Sequence, residues 1–281
     1  MRQLILALAV ALVALPAGAQ GRADPEAATG RAPKPLVTAE RHMIVAANPH
    51  AAEAGRAALR AGGSAADAAV AALLVLNVVE PQSSGIGGGA FALVHGPRGL
   101  TSWDARETAP GAATPELFLA DGEPMRWIDA VPTGRSVGAP GLVRLLDALH
   151  ARHGRLPWPR LVAPAYRLAR DGFPVSPRLA GLTERFRDWL AGTDAAEVFL
   201  PGGAPLRAGE RLVQPELAAT LADLALLGPE AFYAGDGRIA RAIADAVARP
   251  PMPGALTAAD IAAYRAVERA PVCLPWRGHR V

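Results

Sequence analysis

From Ala65 to Val79 the chain is apolar on nearly every face, and shortly after it four glycines fall within five positions: Gly85, Gly87, Gly88 and Gly89. A helix that is hydrophobic all round cannot lie on a surface, so it has to run through a core. Pro81 stops that run. A strand-like Ala-Phe-Ala-Leu-Val then leaves the glycines at residues 90–94. Glycine is needed at such density where backbone takes positive φ or passes very close to other atoms. Any fold for this chain must bury the helix on all sides and set a close neighbour against the glycines.

The order of these elements excludes two phosphate-binding readings. Gly85-x-Gly87-x-x-Ala90 matches the dinucleotide pattern in its letters. That pattern requires a strand before it and a helix after it, so that the pyrophosphate meets a helix N-terminus. Here the order is helix, glycines, strand. A P-loop is excluded because no Gly-Lys-Ser/Thr follows. Ser83 and Ser84 lie outside any Gly-x-Ser-x-Gly elbow and read as turn serines. His150 and His153, three apart on a predicted helix, have no companion ligand pattern and read as a solvated helix end. No metal and no cofactor is expected.

Ser64 with Asp67 three residues on is a capping signature for the buried helix, and Thr257 with Asp260 repeats it near the other end of the chain. Apolar periodicity and punctuation predict further helices over 50–60, 140–153, 159–170, 177–190, 214–227, 237–248 and 257–264. Residues 43–47, 90–95 and 100–103 read as strands, the last two joined by Gly96-Pro97-Arg98-Gly99. Residues 272–281 read as extended, and the chain there looks cut off.

At the other end, Arg2, the apolar run Leu4–Leu15 and Ala17-Gly18-Ala19 read as a signal peptide over 1–19, which predicts a secreted or periplasmic protein. Residues 20–40 read as a flexible lead-in. Cys273 is the single cysteine, so no intrachain disulfide can form. The 29 basic residues, of which Lys34 is the sole lysine, are scattered among 26 acids. Without a basic block or clustered aromatics, no nucleic-acid partner is expected.

Arg106 stands at the end of the 100–103 strand, in Asp104-Ala105-Arg106-Glu107-Thr108-Ala109-Pro110. A guanidinium is a planar, two-pronged donor suited to a carboxylate ligand. The spacing equally suits an ion pair with Asp104 or Glu107.

Taken together, several motifs resemble the large subunit of the γ-glutamyltransferases (γ-glutamyltranspeptidase, glutathione hydrolase). They are Gly63-Ser64-Ala65-x-Asp67-Ala68-Ala69, then Asn77-Val78-Val79-Glu80-Pro81-x-x-Ser84-Gly85-Ile86-Gly87-Gly88-Gly89, and Asp104-x-Arg106-Glu107-x-Ala109-Pro110. Pro140-Gly141, Leu168-Ala169-Arg170-Asp171-Gly172-Phe173 and Leu212-Val213-Gln214 follow in order. Gly228-Pro229-x-x-Phe232-Tyr233 and Asp260-x-x-x-Tyr264-x-x-Val267-Glu268-Arg269 complete the series.

The resemblance implies an α+β fold, the four-layer αββα sandwich of the N-terminal-nucleophile hydrolases. Residues 41–281 would supply only the N-terminal, large-subunit part of it, C-terminally incomplete. It further implies a precursor that cuts itself to expose a threonine, with the two products forming a heterodimer. That threonine attacks the γ-glutamyl amide of glutathione or a similar compound, and the γ-glutamyl-enzyme passes its acyl group to water or to an amino acid or peptide. Arg106 would grip the α-carboxylate of the glutamyl group. No Thr-Thr pair occurs in the chain, so the nucleophile is expected beyond Val281 and the chain alone is expected to be inactive. The alternatives are a related acylase, of cephalosporin or poly-γ-glutamate type, and a non-catalytic scaffold.

Overall fold

The computed structural model describes residues 35–97 and 99–281; the expected signal peptide and residues 20–34 of the lead-in lie outside them. Residues 35–40 carry no regular structure beyond a bend and are exposed. In chain order the elements are α1 (Pro49–Arg60), α2 (Ala65–Val79), β1 (Ala90–Gly96), β2 (Gly99–Ala105), β3 (Leu119–Ala120), β4 (Glu123–Pro124) and α3 (Trp127–Ala130). There follow α4 (Leu142–His153), α5 (Trp158–Asp171), β5 (Phe173–Pro174), α6 (Pro177–Arg185), α7 (Arg187–Ala191), α8 (Ala196–Phe199) and β6 (Arg211–Leu212). The last stretch holds α9 (Pro215–Leu227), α10 (Glu230–Tyr233), α11 (Arg238–Val247), α12 (Ala258–Ala263), β7 (Val267–Arg269) and the pair β8 (Pro275–Trp276) and β9 (His279–Arg280).

The core is a helical body with α2 at its centre, packed between α1, α4 and α5, with α9 behind α5. The helix starts where its caps put it. Ser64 Oγ accepts from Asp67 N, and the Asp67 carboxylate accepts from Ser64 N, which satisfies donors that the first turn would otherwise leave open. Val70, Leu74, Val75, Val78 and Val79 are wholly buried. Each such side chain contributes about 1.5–3 kcal/mol through removal from water. Asp67 is buried too, and its Oδ2 also accepts from the backbone N–H groups of Arg155 and Leu156, tying the loop after α4 to the start of α2.

Against this body lies a three-stranded antiparallel sheet in the order β1-β2-β7, with Phe91 opposite Asp104 and Asp104 opposite Val267. Alternation along β1 splits it into two faces. Ala90, Ala92, Val94 and Trp103 turn inward onto Leu145 and Leu149 of α4 and Ala66 of α2. Phe91 and Leu93 turn outward and are each 70% exposed. The expected α+β class is found: the described residues provide one three-stranded sheet with helices behind one of its faces, and three two-stranded ladders elsewhere, β3-β4, β5-β6 and β8-β9.

Two predicted elements differ. Residues 43–47 form no ladder with any described strand. The short apolar run that suggested a strand is extended and covered on alternate residues, with Ile44 and Ala46 half-buried and Met43 and Val45 exposed. Period two reports which side is covered; it does not supply a partner strand. The helix expected over 177–190 breaks at Phe186, whose φ of −105° and ψ of 18° separate α6 from α7 while its ring packs on Trp189.

Candidate functional site at the end of strand β2

The glycine run serves the end of β2. None of Gly85, Gly87, Gly88 and Gly89 has a positive φ. The requirement is proximity: a Cβ on Gly89 would stand 2.5 Å from Ala105 O, 2.8 Å from Arg106 Cα and 2.9 Å from Glu107 N. From the other side a Cβ on Gly141 would overlap the same Ala105 carbonyl and the Tyr264 hydroxyl. The two glycine segments are tied together, because Gly88 O accepts from Gly141 N at 3.0 Å and Leu142 N at 2.9 Å. The backbone of residues 105–107 therefore runs through a slot that only hydrogen-sized side chains leave open.

Arg106 is the first residue beyond the β2 ladder, so its own peptide groups need other partners. Its N–H donates to Asp104 Oδ1 at 3.1 Å, and its carbonyl accepts from the Tyr264 hydroxyl at 2.8 Å. Asp104 Oδ2 in turn accepts from Arg269 Nε on β7 at 2.7 Å. The Arg106 amide, and after it the Arg269 guanidinium, hold the Asp104 carboxyl below its ordinary 3.8. Of the two ion pairs the spacing allowed, the one with Glu107 forms through Arg106 Nε at 3.3 Å. Asp104 takes the amide of Arg106 instead. The Arg106 side chain stays 55% exposed, so its guanidinium is open to a further anion.

The base of the glycine run is held by a buried carboxylate. Glu80, 3% exposed at the end of α2, accepts from Asn48 Nδ2 at 2.9 Å, Gln82 Nε2 at 2.6 Å and Arg178 Nη1 at 2.8 Å. One side chain thus joins the start of α1, the end of α2 and the start of α6. Ser83 Oγ accepts from Arg178 Nη2 at 2.9 Å and Ser84 Oγ from Asn77 Nδ2 at 3.1 Å. Both serines hold turns together, as their sequence context indicated. His150 Nε2 lies 2.8 Å from Leu156 O and its ring packs on Trp158. His150 is a packed side chain rather than the solvated one expected. Among the described residues, no group of three His, Cys, Asp or Glu side chains could hold a metal ion.

Sequence reasoning singled out Arg106 and did not point to Tyr264 and Arg269, which support its peptide groups, or to Glu80 and Arg178, which hold the base of the glycine run. Glu80 had a readable signal, a lone acid closing an otherwise apolar helix. Tyr264 and Arg269 had none beyond lying in a shared motif, since they act across 158 and 165 residues of chain.

The sequence profile of the family described as Gamma-glutamyltranspeptidase matches residues 51–281. The glutathione hydrolase proenzyme of Bacillus subtilis (strain 168) is 36% identical over 242 residues, which is 85% of this chain and 40% of that protein. Among solved structures, the γ-glutamyltranspeptidase of Helicobacter pylori aligns with a TM-score of 0.82 at 31% identity, covering 88% of this chain and 70% of that one. A cephalosporin acylase from Bacillus halodurans aligns with a TM-score of 0.72 at 32% identity, over 89% of this chain and 48% of that one. The sheet and helical body are thus those of the N-terminal-nucleophile hydrolases. Within that class, the chain belongs to the γ-glutamyltranspeptidase family. It spans about two-fifths of the length of the curated relatives it matches.

Proposed function

We propose that this chain is the large-subunit part of an exported enzyme that cleaves γ-glutamyl amides such as glutathione. A threonine outside the described residues attacks the amide carbonyl and expels the amine. Water then releases glutamate, or an amino acid or peptide amine takes over the acyl group. Arg106 receives the α-carboxylate of the glutamyl moiety and sets the γ-carbonyl at the distance that the nucleophile requires. The supporting observation is the site itself: an exposed guanidinium on a backbone closed in from both sides, where the family pattern Asp104-x-Arg106-Glu107 lies. Export rests on the leader-like residues 1–19, and N-terminal sequencing of the mature protein tests it.

In the full-length, processed protein, Arg106→Ala should raise KM for a γ-glutamyl anilide strongly, since losing one partner of a hydrogen-bonded charge pair costs about 2–5 kcal/mol. Arg106→Lys should restore only part of this, because an ammonium lacks the planar fork. An unchanged KM in Arg106→Ala removes the carboxylate assignment. The same variant separates the acylase alternative that the Bacillus halodurans structure keeps in view. An acyl group without an α-carboxylate would be indifferent to the loss of Arg106.

A further inference from the structure

We propose that Tyr264 and the Asp104–Arg269 pair are positioning residues for Arg106, so that the segment 258–269 sets the reach of the guanidinium toward its ligand; this rests on the reading of Arg106 as the carboxylate receptor. The β2 ladder ends at Ala105, and Arg106 would otherwise start a loop. Both of its peptide groups are instead taken by side chains whose own anchors lie in that one segment.

On the carbonyl side the donor is rigid. The Tyr264 ring is buried at the end of α12 and stacks on Tyr233, ring centroids 6.3 Å apart with 20° between planes. Tyr233 is itself fixed, its hydroxyl donating to Pro140 O at 3.0 Å and accepting from Arg144 N at 2.9 Å. A line of contacts therefore runs from the helical body through two tyrosines to the Arg106 carbonyl. On the amide side, Arg269 stands opposite Ser102 in the register and reaches the diagonal neighbour Asp104 on the same face. Held in this way, Asp104 presents its other oxygen to the Arg106 N–H.

An arginine side chain carries about 2 kcal/mol of rotamer freedom, so the accuracy of its head depends on how firmly its base is fixed. A misplacement of about 1 Å at a reacting centre can cost about a hundredfold in rate. The two contacts hold the base without touching the head. They leave the guanidinium to its ligand and to Glu107.

The test uses full-length processed protein and two substrates, a γ-glutamyl anilide and the 4-aminobutyryl anilide that lacks the α-carboxylate. Tyr264→Phe keeps the ring and loses the hydroxyl; Arg269→Gln sits on an exposed side chain and cannot disturb the core. Each variant should raise KM for the glutamyl substrate about fivefold, the worth of one net hydrogen bond, with kcat within about twofold. Neither should change kcat/KM for the aminobutyryl substrate, and neither should add to the defect of Arg106→Ala. Equal losses on both substrates, or additivity with Arg106→Ala, overturn the positioning role and leave plain strand-end support. A raised KM in Arg106→Ala with none in either support variant likewise sinks the proposal while the carboxylate reading stands. An unchanged KM in Arg106→Ala removes both. If Tyr264→Phe does not accumulate, Arg269→Gln decides alone.

Discussion

Helix α2 and strand β2 are separated by only the glycine run and β1, yet they are held in place by opposite means. The helix is covered over most of its surface by apolar neighbours, with only Ala65, Ala69, Leu73 and Leu76 left exposed or half-buried along one groove. Its two buried acids, Asp67 and Glu80, stand near its ends and are bonded to surrounding segments. The strand is covered on one face only, and the residue just past its end is set by one hydrogen bond to neighbouring Asp104, itself held by Arg269 on β7, and one from distant Tyr264. Burial makes α2 costly to alter and indifferent to small changes elsewhere. The side chains that bond the end of β2 are cheap to alter, although the glycine backbone around it is not, and its geometry depends on a few donors. Stability and the placement of Arg106 are therefore separable properties in this molecule.

The largest effect should come from the polar end of the buried helix. Glu80→Ala removes the shared acceptor of three side chains, Asn48, Gln82 and Arg178. A buried donor left without its acceptor costs about 1–3 kcal/mol, and Asn48 and Gln82 lose theirs together with the charged bond from Arg178. Chemical denaturation should therefore place Glu80→Ala level with Leu74→Ala, a core truncation expected to cost about 2–5 kcal/mol. A loss under about 1 kcal/mol, the range of an exposed pair, would show that apolar packing alone holds α2 and would weaken the contrast with β2.

The glycines give a sharper division within one loop. Gly89→Ala drives a methyl group into backbone atoms of Ala105, Arg106 and Glu107, where nothing flexible can yield. Overpacking of this kind costs about 1–3 kcal/mol. Gly87, two residues earlier, has open space where a Cβ would go and no positive φ. Gly87→Ala should be neutral or stabilising by up to about 1 kcal/mol through the unfolded chain. Equal melting temperatures for the two alanine variants would break the assignment of the run as a backbone crossing.

How much of this was legible beforehand follows the same division. The bounds of α2 could be read to the residue because every signal was local: the cap at Ser64 and Asp67, the unbroken apolar run, the stop at Pro81. The β1–β2 hairpin was legible for the same reason. Residues 43–47 were misjudged because an apolar run records burial, and a partner strand is not written in its own letters. Arg106 could be placed at a strand end from its neighbours. What holds it there could not, since Tyr264 lies 158 positions from Arg106 and Arg269 lies 165 from Asp104, and beyond their shared motif nothing local ties them to that strand end. Glu80 and Arg178 meet across 98 positions, with the same consequence. Local chemistry predicts elements; long-range hydrogen bonds that set a site become visible only after the elements are packed.

The smallest effect concerns the sheet side and depends on pH. Asp260 is held below its ordinary 3.8 chiefly by the Thr257 hydroxyl, then by the backbone N–H groups of Gly111 and Thr257. Through that carboxylate, α12, and with it Tyr264, is tied to the loop that follows Arg106. A depressed folded pKa means that the native state binds the proton less readily than the unfolded chain does. The stability it lends is complete above the unfolded value and is lost as the pH falls through the folded one. Asp260→Asn should therefore destabilise the protein at neutral pH by less than either Glu80→Ala or Gly89→Ala. Its melting temperature should converge with that of the parent as the pH falls below 3.8, where the parent's own carboxylate protonates. A gap that persists unchanged into acid would mean that Asp260 acts through shape and capping geometry rather than charge. The sheet-side contacts would then resemble those of α2 more closely than their exposure suggests.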